Sequence, residues 1–130
     1  MDEKERKAAE MYRDKILDLA KNPHNFGLME QKPTNEHHEE NFLCGDGITV
    51  QLLVDDGVVQ DVKFSGVGCA LCTASASLIT DKVKLMKTEE INSLGSKDMV
   101  DILKIPITPG RMDCAMITLT AIKNALKKPK

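Results

Sequence analysis

The sequence predicts an α+β domain in which a small antiparallel sheet of about three strands packs against helices. Two periods carry this: a helical apolar period at the start and end of the chain, and a period of two between them. The 130 residues suffice for one domain with a hydrophobic core, read as 1–130, with 1–8 expected to fray and 127–130 to form a tail.

The segment ERKAAEMYRDKILDLAKNP reads as a helix. Ala8, Tyr12, Ile16 and Leu19 form its apolar stripe, and Pro23 follows its end. From Asn22 to Asn41 the chain carries Pro, Gly, Asn and charge without a clear period, which reads as a long loop with at most one short strand. In ITVQLLV, Ile48, Val50, Leu52 and Val54 share one face, as in a half-buried strand. Asp55, Asp56 and Gly57 signal a hairpin, and VVQDVKFSG returns antiparallel with Val62 and Phe64 inward. GVGC then opens a helix whose buried face is Cys72, Ala76, Ile79, Val83 and Met86. Ala74, Ser75, Ala76 and Ser77 are small enough to let it pack closely on a neighbour. TEEINSLGSKDMVDILKI reads as two short helices broken at Gly95, and PITPGRMD as a Pro/Gly loop. A last helix, CAMITLTAIKNALKK, would bury Ala115, Leu119, Ile122 and Leu126.

Composition narrows the function. The 18 basic and 20 acidic residues leave a net charge of -2, which argues against a broad nucleic-acid-binding surface. With no Trp and one Tyr, stacking platforms for bases are scarce. No apolar run approaches the roughly 20 residues that span a bilayer. The charged start, MDEKERKAAE, lacks a signal-peptide apolar region, so no membrane association is expected and the cytoplasm is the default compartment. Thiols stay reduced there, so four cysteines point to metal or thiol chemistry before disulfides.

Cys44 lies two residues before Asp46 in a glycine-flanked stretch ahead of a strand. Cys69 follows two glycines at a helix start, and Cys114 follows Pro109 and Gly110 at another. A helix N-terminus offers N–H groups and a positive dipole end, which favour a thiolate, the form that binds metal and attacks sulfur. Neighbouring glycines leave room for an inorganic group. The intervals between these cysteines match no zinc finger. From the residues alone, scattered metal ligands and three buried small side chains both stand as readings.

YRDKILDLAKNPHNFGLM, then CGDGITVQLLVDDGVVQDVKFSGVGCALCTASASLIT, then PGRMDCAMITLTAIKNAL resemble the IscU/SufU/NifU family of iron–sulfur cluster assembly scaffolds, from about Tyr12 to Leu126. The NPHN after the first helix, the CGD, the GxGC with ASAS beyond it and the RxxCA come in the family's order. The resemblance implies that Cys44, Asp46, Cys69 and Cys114 converge at one end of the molecule to hold a nascent cluster or a zinc ion. Three thiolates would supply soft ligands and Asp46 a hard oxygen. A carboxylate holds iron less firmly than a thiolate, so the cluster could leave for an acceptor.

The chain also departs from the family's pattern. Cys72 is extra. It reads either as core, beginning the stripe that ends at Met86, or as an auxiliary ligand or sulfur relay beside Cys69. CALC also mimics a thioredoxin-type pair, although no βαβ pattern precedes it. Asp113 stands where IscU-like relatives carry a histidine and SufU-like ones a lysine. It reads as a helix N-cap or as a second carboxylate at the site. ITPGR replaces the LPPVK stretch through which IscU-like proteins engage a chaperone, and the spacing from Cys69 to Cys114 leaves little room for the SufU-type insertion. His24, His37 and His38 lie in the polar N-terminal stretch and read as solvated or loop-capping, Arg111 as a counter-charge to the anionic site, and Tyr12 as packing.

The resemblance therefore implies a non-enzymatic scaffold. It would accept sulfur from a cysteine desulfurase, assemble a transient [2Fe–2S] cluster and pass it to recipient apo iron–sulfur proteins. A cluster shared within a homodimer is compatible with this. The alternatives are a SufU-like zinc-dependent sulfur acceptor and a structural zinc-binding interaction domain.

Overall fold

A computed structural model describes residues 2–41, 45–104 and 107–127, leaving aside the side chains of Ala8, Ala9 and Tyr12. Cys44 lies outside the described residues, and of the stripe expected on the first helix the side chains of Ala8 and Tyr12 are not described. Helix α1 spans Glu3–Lys21. Asp2 caps it by accepting from the Glu5 N–H at 2.7 Å, while Glu3 and Glu5 in the first turn and Lys21 in the last suit the helix dipole. The helix thus reaches further toward the N-terminus than its apolar stripe. Among its described side chains, Ile16 and Leu19 are buried.

Three strands follow: β1 (Asn35–Asn41), β2 (Asp46–Asp55) and β3 (Val58–Val67), antiparallel in the order β1-β2-β3. The β2–β3 turn is the expected one. Asp56 and Gly57 both take positive φ, 52° and 73°, as a two-residue hairpin with the native sheet twist requires. Along β2 burial alternates strictly, so Asp46, Ile48, Val50, Leu52 and Val54 all face inward. Val59, Val62 and Phe64 do the same on β3.

β1 is the one short strand allowed for between Asn22 and Asn41, and His37 and His38, read as part of the polar loop, belong to it. Its inward positions are Asn35, His37, Glu39 and Asn41, so no apolar alternation betrays it. Those groups bond to the last helix instead: Asn35 Nδ2 donates to the Ala125 carbonyl at 2.9 Å, and Asn124 Nδ2 to Glu39 at 2.7 Å. His37 Nε2 lies 3.1 Å from the same Glu39 oxygen.

Helices α2 (Ala70–Val83), α3 (Thr88–Asn92), α4 (Ser96–Leu103) and α5 (Pro109–Lys127) complete the chain. The two short helices break at Gly95, as the sequence predicts. α2 packs against both α1 and α5, and α5 also covers β1 and β2. The small stripe Ala74, Ser75, Ala76 and Ser77 is wholly buried in this crossing. Val50, Leu52, Val62, Phe64, Ile79, Val83, Leu119 and Ile122 belong to one core cluster between sheet and helices.

A polar clamp fixes the segment after α1. His24 Nδ1 lies 2.7 Å from Asp81 Oδ2 on α2, Asn25 Nδ2 donates to Asp81 Oδ1 at 2.8 Å, and the His24 N–H donates to Ser77 Oγ. Burial would raise the Asp81 carboxyl. The hydrogen bonds from His24 and Asn25, with the charges of His24 and Lys84, outweigh it and hold the group below the ordinary carboxylate range.

Candidate metal centre

Asp46 is an inward residue of β2, at the end where the apolar face runs out. The alternation that buries Ile48 and Val50 therefore aims a carboxylate inward at the sheet's edge, where it is 5% exposed. Two glycines bring β2 and β3 together beside it. Gly66 has φ of 135°, and a Cβ there would lie 2.0 Å from the Gly47 carbonyl oxygen, so only glycine permits the approach.

β3 ends at Val67, and the chain turns through Gly68 into α2. Cys69 is the α2 N-cap, with extended backbone (φ -70°, ψ 172°). Its N–H donates to Asp46 Oδ1 at 3.3 Å, which ties the helix start to the strand. Its Sγ accepts from the Cys72 N–H at 3.5 Å and from Arg111 Nη2 at 3.4 Å. The expected counter-charge role of Arg111 therefore has a defined target in Cys69.

Cys114 arrives from α5, and here one reading needs correction. α5 begins at Pro109, so Cys114 lies in its second turn and not at its start. Asp113 is accordingly no N-cap. Proline suits the first helical position because its fixed φ matches the helix and its missing N–H would have had no partner there. Thr108–Pro109 was the start signal, hidden because a Pro/Gly pair also reads as a loop. Cys114 faces inward, 4% exposed, and Asp113 faces outward.

One ligand atom each from Asp46, Cys69 and Cys114 lies within 4.8 Å of the others. Ligands around a tetrahedral ion with bonds of about 2.0–2.3 Å stand about 3.3–3.8 Å apart. The trio needs to contract by no more than about 1.5 Å to fit one, and two sulfurs with one carboxylate suit zinc or iron. Cys44, the remaining predicted ligand, is outside the described residues, although its chain neighbours Gly45 and Asp46 border the site. Asp113 and Cys72 are not in the group. Asp113 lines an adjoining groove of about 370 Å³ with Glu39, Glu40, Asn41, Met116, Ile117 and Thr120. On the other side of β1, His38 and Glu40 join Asp46 and Val67 around a groove of about 400 Å³. These grooves carry polar side chains of β1 that the sequence offered no period to find. His24 is held by Asp81, as its capping reading expected. His37 and His38 pair with Glu39 and Glu40 at 3.1 and 3.0 Å.

A small sheet-and-helix fold with a group of two cysteines and a carboxylate at the sheet's end defines a class of compact proteins with a cysteine-based candidate metal centre. Within it the chain belongs to the NifU-like N-terminal domain family, which it matches over residues 11–130. It is 34% identical to the iron–sulfur cluster assembly scaffold protein IscU of Haemophilus influenzae, over 88% of this chain and 92% of that one. It is 35% identical to the IscU of Thermotoga maritima, over 91% and 94%. In structure it resembles the NifU-like N-terminal protein of Brucella abortus, with a TM-score of 0.72 at 24% identity, covering 89% of this chain and 92% of that one. A Fervidobacterium islandicum AW-1 protein assigned to the SUF system gives a TM-score of 0.75 at 22% identity, covering 87% and 94%. These two structural likenesses concern the fold alone. No helix among the described residues is long and apolar enough to cross a membrane.

Proposed function

We propose that this protein is a scaffold on which a [2Fe–2S] cluster is assembled from iron and desulfurase-derived sulfur, then transferred to recipient apo proteins. The observation that carries the reading is the convergence of Asp46, Cys69 and Cys114 from three elements onto one point, in a chain of this family. Cys44 is the third thiolate of the proposed ligand set. The iron and sulfur are cargo that the protein holds and releases, and it turns over no small-molecule substrate of its own.

Each residue has a distinct task in this reading. Cys69 and Cys114 bind iron through sulfur. Asp46 orients the α2 start through the Cys69 N–H and offers an oxygen that iron exchanges more readily than sulfur. Arg111 offsets negative charge at Cys69 when no metal does. Cys69 is half-buried and Cys114 is buried, so among the described cysteines Cys69 is the one a sulfur donor reaches.

That accessibility, with an arginine ready to partner the sulfur, also favours a second reading. Zinc would rest in the site, and Cys69 would leave it to accept sulfur. Purification without oxygen, followed by incubation with Fe²⁺, cysteine and a cysteine desulfurase, separates the two. A red-brown chromophore transferable to an apo-ferredoxin supports the scaffold. Colourless protein that keeps one zinc and stimulates the desulfurase supports the acceptor and overturns the scaffold.

A further inference from the structure

We propose that Cys72 is a resolving thiol, which reduces sulfur carried on Cys69 to sulfide by forming a Cys69–Cys72 disulfide. The inference rests on the reading of Cys69 as the sulfur acceptor, and goes beyond it by naming the source of the electrons. Sulfur delivered as a persulfide is sulfane sulfur, whereas a cluster is built from sulfide, so two electrons must enter at this step.

The geometry points to Cys72. It is fully buried on the core side of α2, three residues after Cys69, and its own N–H donates to Cys69 Sγ at 3.5 Å. Its sulfur is pressed over Gly68, where a Cβ would lie 2.6 Å from Cys72 Sγ and 3.6 Å from Asp46 Cγ. The thiol is therefore beside the metal centre yet outside the ligand group. Core packing accounts for the burial of Cys72, and its place against the peptide that leads into Cys69 also sets its thiol beside that residue. Residues three apart on a helix are about 5–6 Å apart at Cβ and a disulfide needs about 3.5–4.5 Å, so closure requires the Cys69 side chain, on extended backbone at the cap, to swing toward the first turn. Dithiols spaced this way at helix starts are a recurrent redox device.

The chemistry balances. Cys69–S–SH and Cys72–SH give Cys69–S–S–Cys72 and H₂S. Cys72 Sγ attacks Cys69 Sγ, the persulfide S–S bond breaks, and the outer sulfur leaves with its electron pair. The two cysteine sulfurs supply both electrons, and the Cys72 proton departs in H₂S. Attack on the outer sulfur would instead relay it to Cys72 and release no sulfide. The sulfide is released beside Asp46 and Cys114, where iron is held in the proposed function. A dithiol reductant of the thioredoxin class returns the disulfide to two thiols.

The test uses the full-length chain, metal-free and without oxygen, loaded with sodium polysulfide and then desalted. Sulfide release is timed, and peptide mass mapping locates added sulfur and cross-links. The expected result is an added sulfur on Cys69 that decays to a Cys69–Cys72 disulfide with one sulfide released for each disulfide formed. In Cys72→Ser and Cys72→Ala the added sulfur stays on Cys69 and release slows by about tenfold or more. A wild-type persulfide that persists, release in the variants at the wild-type rate, or migration of the sulfur to Cys72 would each overturn the proposal alone. Failure of Cys69 to take up sulfur in any of the chains would overturn the acceptor reading beneath it. The wild-type arm is decisive even where a variant does not fold.

Discussion

At the scale of single residues, Asp46 joins two roles: one of its oxygens accepts from the Cys69 N–H, and the carboxylate lies in one group with the Cys69 and Cys114 sulfurs, where it offers a metal its oxygen ligand. Asp46→Ala therefore removes the exchangeable oxygen and leaves cluster or metal held by sulfur. Transfer of a reconstituted cluster to an apo-ferredoxin, followed by circular dichroism, should slow by about tenfold, the equivalent of roughly 1.4 kcal/mol in the transfer barrier. Transfer as fast as wild type would remove Asp46 from the release step. Gly66 is the second informative residue. Gly66→Ala sets a methyl 2.0 Å from the Gly47 oxygen in a conformation that alanine rarely adopts. The strands must part beside Asp46, and a loss of about 2 kcal/mol or more in urea unfolding is expected.

At the scale of elements, the helix starts decide which side chains meet. α5 begins five residues before Cys114, so Cys114 and Asp113 project about 100° apart around a formed helix, one inward and one outward. Asp113→Asn should leave thermal stability within about 0.5 kcal/mol of wild type, as for an ordinary surface substitution. Zinc titration should give an unchanged affinity; a weakened one would return Asp113 to the site. The α1–α2 clamp makes a pH prediction. The folded-state pKa of Asp81 is depressed, so its contribution is present in full above the unfolded value, about 3.9, and is lost as pH falls through the lower folded value. Asp81 is about half exposed, and the effect is correspondingly screened. Acid unfolding followed by circular dichroism should show a shallower loss of stability below about pH 4 for Asp81→Asn than for wild type. Identical acid profiles would show that the clamp contributes nothing to acid stability.

At the scale of the whole molecule, the candidate centre ties β2, the start of α2 and α5 at one end of the core. Binding an ion there adds direct bonds between elements already joined by packing and by the Cys69–Asp46 and Arg111–Cys69 hydrogen bonds. Free zinc at about 1,000 times its dissociation constant should stabilise the fold by about 4 kcal/mol, as any ligand specific to the native state does. The melting temperature should rise with zinc and fall back with a chelator. Cys69→Ser and Cys114→Ser should each lose most of that rise. A full rise in either variant would place the ion elsewhere.

The sequence by itself determined the α+β class, the β2–β3 hairpin and the position of Cys69 at a helix start. These follow from local chemistry: the period of two from Ile48 to Val54, the Asp-Asp-Gly turn, and the glycines before Cys69. The motif order also pointed to the family, and with it to Asp46, Cys69 and Cys114. Tertiary structure alone decided the rest. β1 is a strand because β2 offers it a hydrogen-bonding edge and α5 satisfies its inward polar groups, and neither partner is local. Asp113 faces outward because Pro109 starts α5 early, a choice between loop and helix that a Pro/Gly pair leaves open. Cys72 lies over Gly68, beside the site but outside the ligand group, because α2 leaves the Cys69 cap toward the core. Local periodicity records which face of an element is apolar. Which side chains of different elements come within bonding distance depends on how those faces pack, and only the folded chain specifies that.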